Sequence, residues 1–211
     1  MFNSSTSQPT LLLATSNLGK IGELTAILKP LSLRLLTLAD WPAKIPEPEE
    51  TGEDFLANAL IKAQYYAKVC GYPALADDSG LMVEALGGRP GVASARYGGG
   101  GTDGSRKLKL LREMVGLKNR RAKFKSVLVL AGSGAEYLTW SGELAGEIAE
   151  KPLGEGGFGY DPLFWEPISG KTLAQLTLEE KNRISHRAKA GQAMARDFEA
   201  VRKFLAGCQE S

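Results

Sequence analysis

The chain has 211 residues, with 26 Lys and Arg against 24 Asp and Glu, a net charge of +2, and 43% hydrophobic and 24% charged residues. Such a chain buries roughly 70% of its unfolded surface, and its balanced charge excludes the strong basic field that holds a nucleic-acid backbone. No apolar run approaches the roughly 18 residues that span a bilayer, and the first ten residues have neither a basic nor an apolar signal region, so a soluble cytoplasmic protein with no nucleic-acid and no membrane partner is expected.

Residues 1–9 read as a short disordered tail and residues 10–207 as one domain. Thr10 to Thr15 is an apolar run of strand length that opens into Ser16-Asn17-Leu18-Gly19-Lys20. Lys20 to Leu28 places Ile21, Leu24, Ile27 and Leu28 at helical spacing before Pro30, and Leu33 to Leu38 returns to a strand pattern. This β-α-β opening predicts a sheet buried on both faces, with ligands collecting beyond the carboxyl ends of its strands. Trp41 to Thr51 carries three prolines and three glutamates and is a connector. Glu53 to Cys70 is an amphipathic helix whose apolar arc includes Phe55, Ala59, Ala63, Tyr66 and Cys70. Lys62 falls at the margin of that arc, where a lysine either snorkels or has a partner. Pro73 to Ala76 reads as a short strand ending in an Asp77-Asp78-Ser79-Gly80 turn, with a new strand from Leu81 to Leu86. The glycine-rich stretch Gly98 to Gly104 leads into a helix over Ser105 to Met114. Lys123 to Ala131 and Glu136 to Glu150 form a hairpin across Gly132-Ser133-Gly134, Gly154 to Pro162 is a glycine-rich loop, and Ala188 to Leu205 is one docking helix. The basic run Lys118 to Lys123, between a helical and a strand pattern, reads as a solvated loop rather than a nucleic-acid patch. Cys70 and Cys208 stand far apart and suit reduced thiols.

Several chemistries are disfavoured. His186 is the single histidine, which argues against zinc. No G-x-x-x-x-G-K-[ST] occurs, and the G-x-G-x-x-G spelling over residues 99–104 follows no strand. A serine hydrolase built on Ser79 and His186 is a weak alternative. The adjacent Asp77 and Asp78 point opposite ways on an extended chain. Asp78 with Glu49 or Glu50 offers hard oxygen ligands for Mg²⁺, and one carboxylate can serve as general base. Asn17, Lys20, Lys62, Lys181, His186 and Arg187 supply amide and cationic donors for phosphate or a purine. A nucleotide- or RNA-binding module that uses Phe158 and Tyr160 for stacking is the non-enzymatic rival, and a phosphatase that stops at the diphosphate is the enzymatic one.

Four segments in order, ATSNLGKIGEL from Ala14, ALADDSGLMVEALGGRPGVASARYGG, GEGGFGYDPLF and EEKNRISHRAKA from Glu179, carry a resemblance to the inosine/xanthosine triphosphate pyrophosphatases. The resemblance runs from about Leu11 to about Gln192 and implies a mixed α/β fold, a twisted central sheet flanked by helices with two lobes around an active-site cleft, and a homodimer. It implies Mg²⁺-dependent hydrolysis of non-standard purine nucleoside triphosphates to monophosphate and pyrophosphate. Thr15, Ser16, Asn17, Leu18, Gly19 and Lys20 would hold the phosphates with Lys62. Asp78 would be general base and, with Glu49, metal ligand, and Ser79 would touch the nucleotide. Phe158, Gly159, Tyr160 and Asp161 would form the base pocket, with Phe158 stacking, while Lys181, His186 and Arg187 meet the base edge and Asp77 and Arg96 lie close by. Ala57 departs from the family, which has glutamate before Asn58.

Overall fold

The computed structural model describes residues 8–41, 43–99 and 102–208. Most of the expected N-terminal tail, and Gly100 and Gly101 of the glycine-rich stretch, therefore lie outside the described residues. Strand β1 (Thr10–Leu13) has Leu11, Leu12 and Leu13 fully buried, as a strand covered on both faces requires. It pairs in parallel with β2 (Arg34–Thr37) on one side and β3 (Ala74–Val83) on the other. Helix α1 (Leu18–Leu28) connects β1 to β2 and begins two residues earlier than its apolar spacing predicts. Asn17 sets that start: its side-chain oxygen accepts the Lys20 N–H at 3.1 Å, satisfying one of the orphan donors of the first turn.

Helix α2 (Phe55–Cys70) is capped by Asp54 and stopped by Gly71 at φ 73°, where the left-handed backbone favours glycine. Its buried face includes Asn58, whose Oδ1 accepts the Gly52 N–H at 2.8 Å and ties the acidic connector to the helix. Helix α3 (Asp103–Glu113) follows the glycine-rich stretch. Strands β4 (Arg121–Ala131) and β5 (Tyr137–Ile148) form the expected hairpin, in register Ala131 to Tyr137. The short β6 (Phe164–Glu166) and β7 (Lys171–Thr172) complete a mixed seven-stranded sheet in the order β2-β1-β3-β4-β5-β6-β7. Helices α4 (Leu178–Ile184), α5 (His186–Arg196) and α6 (Phe198–Gly207) end the chain. Among the described residues no helix is long and apolar enough to cross a membrane.

Two hydrophobic clusters cover opposite faces of one half of the sheet: α2 packs on Ala74, Ala76, Val127 and Val129, and α1, α5 and α6 on Leu75, Leu128 and Leu130. A third cluster fills the other half, where Leu81, Val83, Phe124, Leu144 and Ile148 meet Leu110 of α3 and Phe164. Strands β3, β4 and β5 run through both halves. The polar residues 77–79 fall where one core stops and the other starts.

Two sequence expectations change, and one helix is added. Asp77-Asp78-Ser79-Gly80 is no turn but the middle of the continuous strand β3, paired with Leu128, Val127, Ser126 and Lys125 of β4. Charge in mid-strand resembles a turn until its partners are known. The C-terminal helix is two helices broken at Asp197, whose carboxylate accepts the Trp140 indole N–H at 2.7 Å. The apolar face is nevertheless kept, with Ala190, Met194, Val201 and Leu205 fully buried. Helix α4 was not expected, although Thr177 and Glu180 form a reciprocal capping box that marks its start.

Candidate active site

Strand alternation sends Asp77 and Asp78 to opposite faces of the sheet, into different environments. Asp77 faces α1 and α5 and is saturated. Its Oδ2 accepts from Arg187 Nη2 at 2.8 Å, Arg187 Nε at 3.0 Å and Ser79 Oγ at 3.1 Å, and lies 3.1 Å from Lys20 Nζ, while its Oδ1 accepts from Ser126 Oγ at 2.6 Å. Burial alone would raise its pKa, but Arg187, Lys20 and the Ser126 hydroxyl outweigh that and hold the carboxyl well below the usual range. Asp78 faces α2. Its Oδ1 accepts from Lys62 Nζ at 2.7 Å, and its Oδ2 is buried with no hydrogen-bond partner. Burial pushes its pKa up, and Lys62 offsets only part of the shift. One carboxylate is thus a fixed anion with no acceptor to spare; its neighbour has a free oxygen and raised basicity.

Two ammonium groups converge beside this pair. Lys20 Nζ, from the first turns of α1, and Lys62 Nζ, from α2, lie 3.1 and 3.2 Å from the same Asp77 carbonyl oxygen. Lys62 therefore does not snorkel; it bridges Asp78 and Glu50 at 2.7 Å each, and these carboxylates outweigh burial and raise its pKa. Burial lowers the Lys20 pKa, with Asp77 a partial offset. Of the two neighbouring glutamates it is Glu50 that enters the cleft, held also by Arg96 Nη1 at 2.7 Å, whereas Glu49, the expected metal ligand, is exposed and lines no part of it. Sequence could not fix that register, because the proline-broken connector has no periodicity. Asn17 lines the cleft at the N-terminus of α1, where unpaired backbone N–H groups attract anions. Thr15, Ser16, Leu18 and Gly19 belong to the same turn but lie outside the lining set; Leu18 is 82% exposed and Ser16 donates to Glu47.

The other wall comes from the glycine-rich loop and the start of α5. Phe158, Gly159, Tyr160 and Asp161 line the cleft with Ser79, Lys181, His186 and Arg187. The Phe158 ring sits 4.7 Å from Lys181 Nζ and packs on Gly19 so closely that any side chain there would collide with it. Lys181 is buried between Asp161 and Glu23. Ser185 caps α5 and puts His186 and Arg187 in its first turn, while Gly142 of β5 lets that helix approach the sheet. Arg187 is 1% exposed, and its donors are engaged by Asp77, Ser79 Oγ at 2.9 Å and Glu23. The expectation that Arg187 meets a base edge therefore encounters a guanidinium already spent on internal anions. His186 is no cationic donor either: burial, and then Arg187 beside it, lower its pKa well below the usual value and leave a neutral ring stacked 4.7 Å from Phe124, with Nδ1 unpartnered.

Four further residues that carried no assigned role support or line the cleft, Glu23 and Ser126 from behind its wall. Glu23 joins Lys181 to Arg187, and Ser126 orients Asp77 from β4. Asp103 and Arg106 of α3 form part of the wall. Glu23 is 2% exposed although it sits in an amphipathic helix; a glutamate on the buried face was the available signal.

The Ham1 family model matches residues 11–197. The chain is 55% identical over 185 residues to a dITP/XTP pyrophosphatase of Thermus thermophilus, covering 87% of this chain and 88% of that protein. It is 50% identical over 183 residues to the dITP/XTP pyrophosphatase of Geobacter sulfurreducens, covering 85% and 92%. The fold superposes on a HAM1 protein from Coxiella burnetii with a TM-score of 0.81 at 39% identity, covering 90% of this chain and 98% of that one.

Proposed function

Because the chain belongs to the Ham1 family, we propose that it hydrolyses non-standard purine nucleoside triphosphates, dITP, ITP and XTP, to the monophosphate and pyrophosphate, so removing them from the nucleotide pool. The observation that carries this reading is the asymmetry of Asp77 and Asp78 beneath two converging lysines. Lys20, Lys62 and the N–H groups opening α1 take the triphosphate by charge-assisted hydrogen bonds. Asp78 accepts a proton from water as the water oxygen bonds to the α-phosphorus; the bond from that phosphorus to the bridging oxygen breaks, and pyrophosphate leaves. Asp77, Arg187 and Glu23 position this array without touching substrate. Phe158 stacks on the purine, while Lys181 and the unpartnered His186 nitrogen meet its edge.

Magnesium fits the donor set. The bare Asp78 Oδ2 and the Glu50 carboxylate, joined through one Lys62 ammonium, are hard oxygen donors, and Mg²⁺ is commonly held by one or two carboxylates plus water and phosphate. When bound, the ion neutralises charge on the phosphate oxygens. In this reading residues 10–207 are a single catalytic domain that acts as a homodimer in the cytoplasm.

The test is base selectivity. Hypoxanthine carries a 6-oxo acceptor where adenine carries a 6-amino donor, so buried donors that pair with the former are left unpaired by the latter. The ratio of kcat/KM for ITP over ATP, measured with Mg²⁺, is expected to be on the order of 10⁴. Equal values for the two substrates would refute a base-selective enzyme.

A further inference from the structure

The loop over residues 154–159 contains four glycines in six residues, and such a segment loses much conformational entropy when ordered. Yet it carries Phe158 to one fixed place. Its backbone donors show how. Asp161 Oδ2, from the loop's own far end, accepts the Phe158 N–H at 2.8 Å. The next N–H, that of Gly159, is accepted at 2.6 Å by Asp103 Oδ2, a carboxylate 56 positions away in the first turn of α3. Asp103 is itself held in place: its other oxygen pairs with Arg106, and Arg106 Nη1 donates to the Ala95 carbonyl at 2.5 Å. All six of these residues line the cleft. The Tyr160 hydroxyl adds a second bond to the same wall, donating to the Ser94 carbonyl at 3.1 Å.

We propose that Asp103 is a positioning residue, which latches the Phe158 loop across the cleft through the Gly159 amide and so presets the aromatic ring for the substrate base. The inference rests on the reading of Phe158 as the stacking side chain. The latch belongs to the base end: its hydrogen bonds involve none of Lys20, Lys62 and Asp78, which would handle phosphate, and the loop meets the phosphate end where the Phe158 ring packs on Gly19. A carboxylate accepting a backbone N–H is a charge-assisted bond, stronger than a neutral one. Losing it therefore frees the loop while leaving the contacts of Lys20, Lys62 and Asp78 in place.

The experiment compares Asp103→Ala and Asp103→Asn with the wild type in three measurements. In the free protein, exchange of the Gly159 amide proton read by NMR is expected to accelerate by about tenfold or more in Asp103→Ala, the scale of one lost charge-assisted bond, and by less in Asp103→Asn, whose amide oxygen still accepts. KM for ITP is expected to rise several-fold in Asp103→Ala with kcat nearly kept, and to recover largely in Asp103→Asn. Inhibition by inorganic tripolyphosphate, which has no base, is expected to be unchanged. Unaltered Gly159 exchange in Asp103→Ala overturns the latch. So does an equal loss of ITP and tripolyphosphate affinity, which would mark a general structural defect. If exchange accelerates while the wild type itself ignores ITP, the latch stands and the assigned substrate fails.

Discussion

Asp78→Asn is expected to lower kcat by about 10² to 10⁴, the usual contribution of a positioned general base, while leaving the thermal unfolding midpoint nearly unchanged. The amide keeps the size of the carboxylate and can still accept from Lys62, which also retains its 2.7 Å pair with Glu50. What disappears is the proton-accepting oxygen, the Oδ2 that is buried and unpartnered. Steady-state kinetics with ITP and a thermal melt decide the matter. A variant that retains more than about a tenth of wild-type kcat has lost under about 1.4 kcal/mol of barrier, and Asp78 would then not be the base.

Asp77→Asn, one residue away, is expected to act on stability instead. Its carboxylate is the shared anion of buried Arg187 and Lys20, and a neutral amide leaves Lys20 without a carboxylate and Arg187 with Glu23 alone. Removing one partner of a buried ion pair costs about 3–5 kcal/mol, which for a domain of this size lowers Tm by roughly 10 °C. A Tm within about 3 °C of wild type would show that the cluster tolerates a missing anion. Residual activity below the melt is expected to exceed that of Asp78→Asn, because Asp77 touches neither water nor substrate in the proposed reaction.

This contrast between neighbours shows what was legible in the sequence. Alternation along a strand already implied that the two carboxylates face opposite ways. Nothing local could say which face held Arg187, because that contact spans 110 positions and depends on α5 packing against α1 and β5. The same limit explains the misread turn at Asp77 to Gly80. A buried charge is affordable in mid-strand only with partners that other elements supply. Local signals served well where the physics is local. The loop beyond β1, the apolar arc of α2 and the glycine hairpin after β4 all lie where pattern and turn chemistry put them, although α1 starts two residues earlier than its apolar spacing implied. They failed where continuity of an apolar face hid a break, as at Asp197, or where several adjacent residues could serve equally, as with Glu49 and Glu50. His186 was legible as a cleft residue but not as a neutral one, since its charge state depends on Arg187 and on burial rather than on residue type.

The measurement that tests the central claim most directly is hydrolysis of ITP in water enriched in ¹⁸O, with Mg²⁺ and wild-type protein, the products being weighed by mass spectrometry. Attack at the α-phosphorus by water that Asp78 deprotonates places one ¹⁸O in the inosine monophosphate and none in the pyrophosphate. Orthophosphate as the first product, or label in the pyrophosphate with an unlabelled monophosphate, would contradict it.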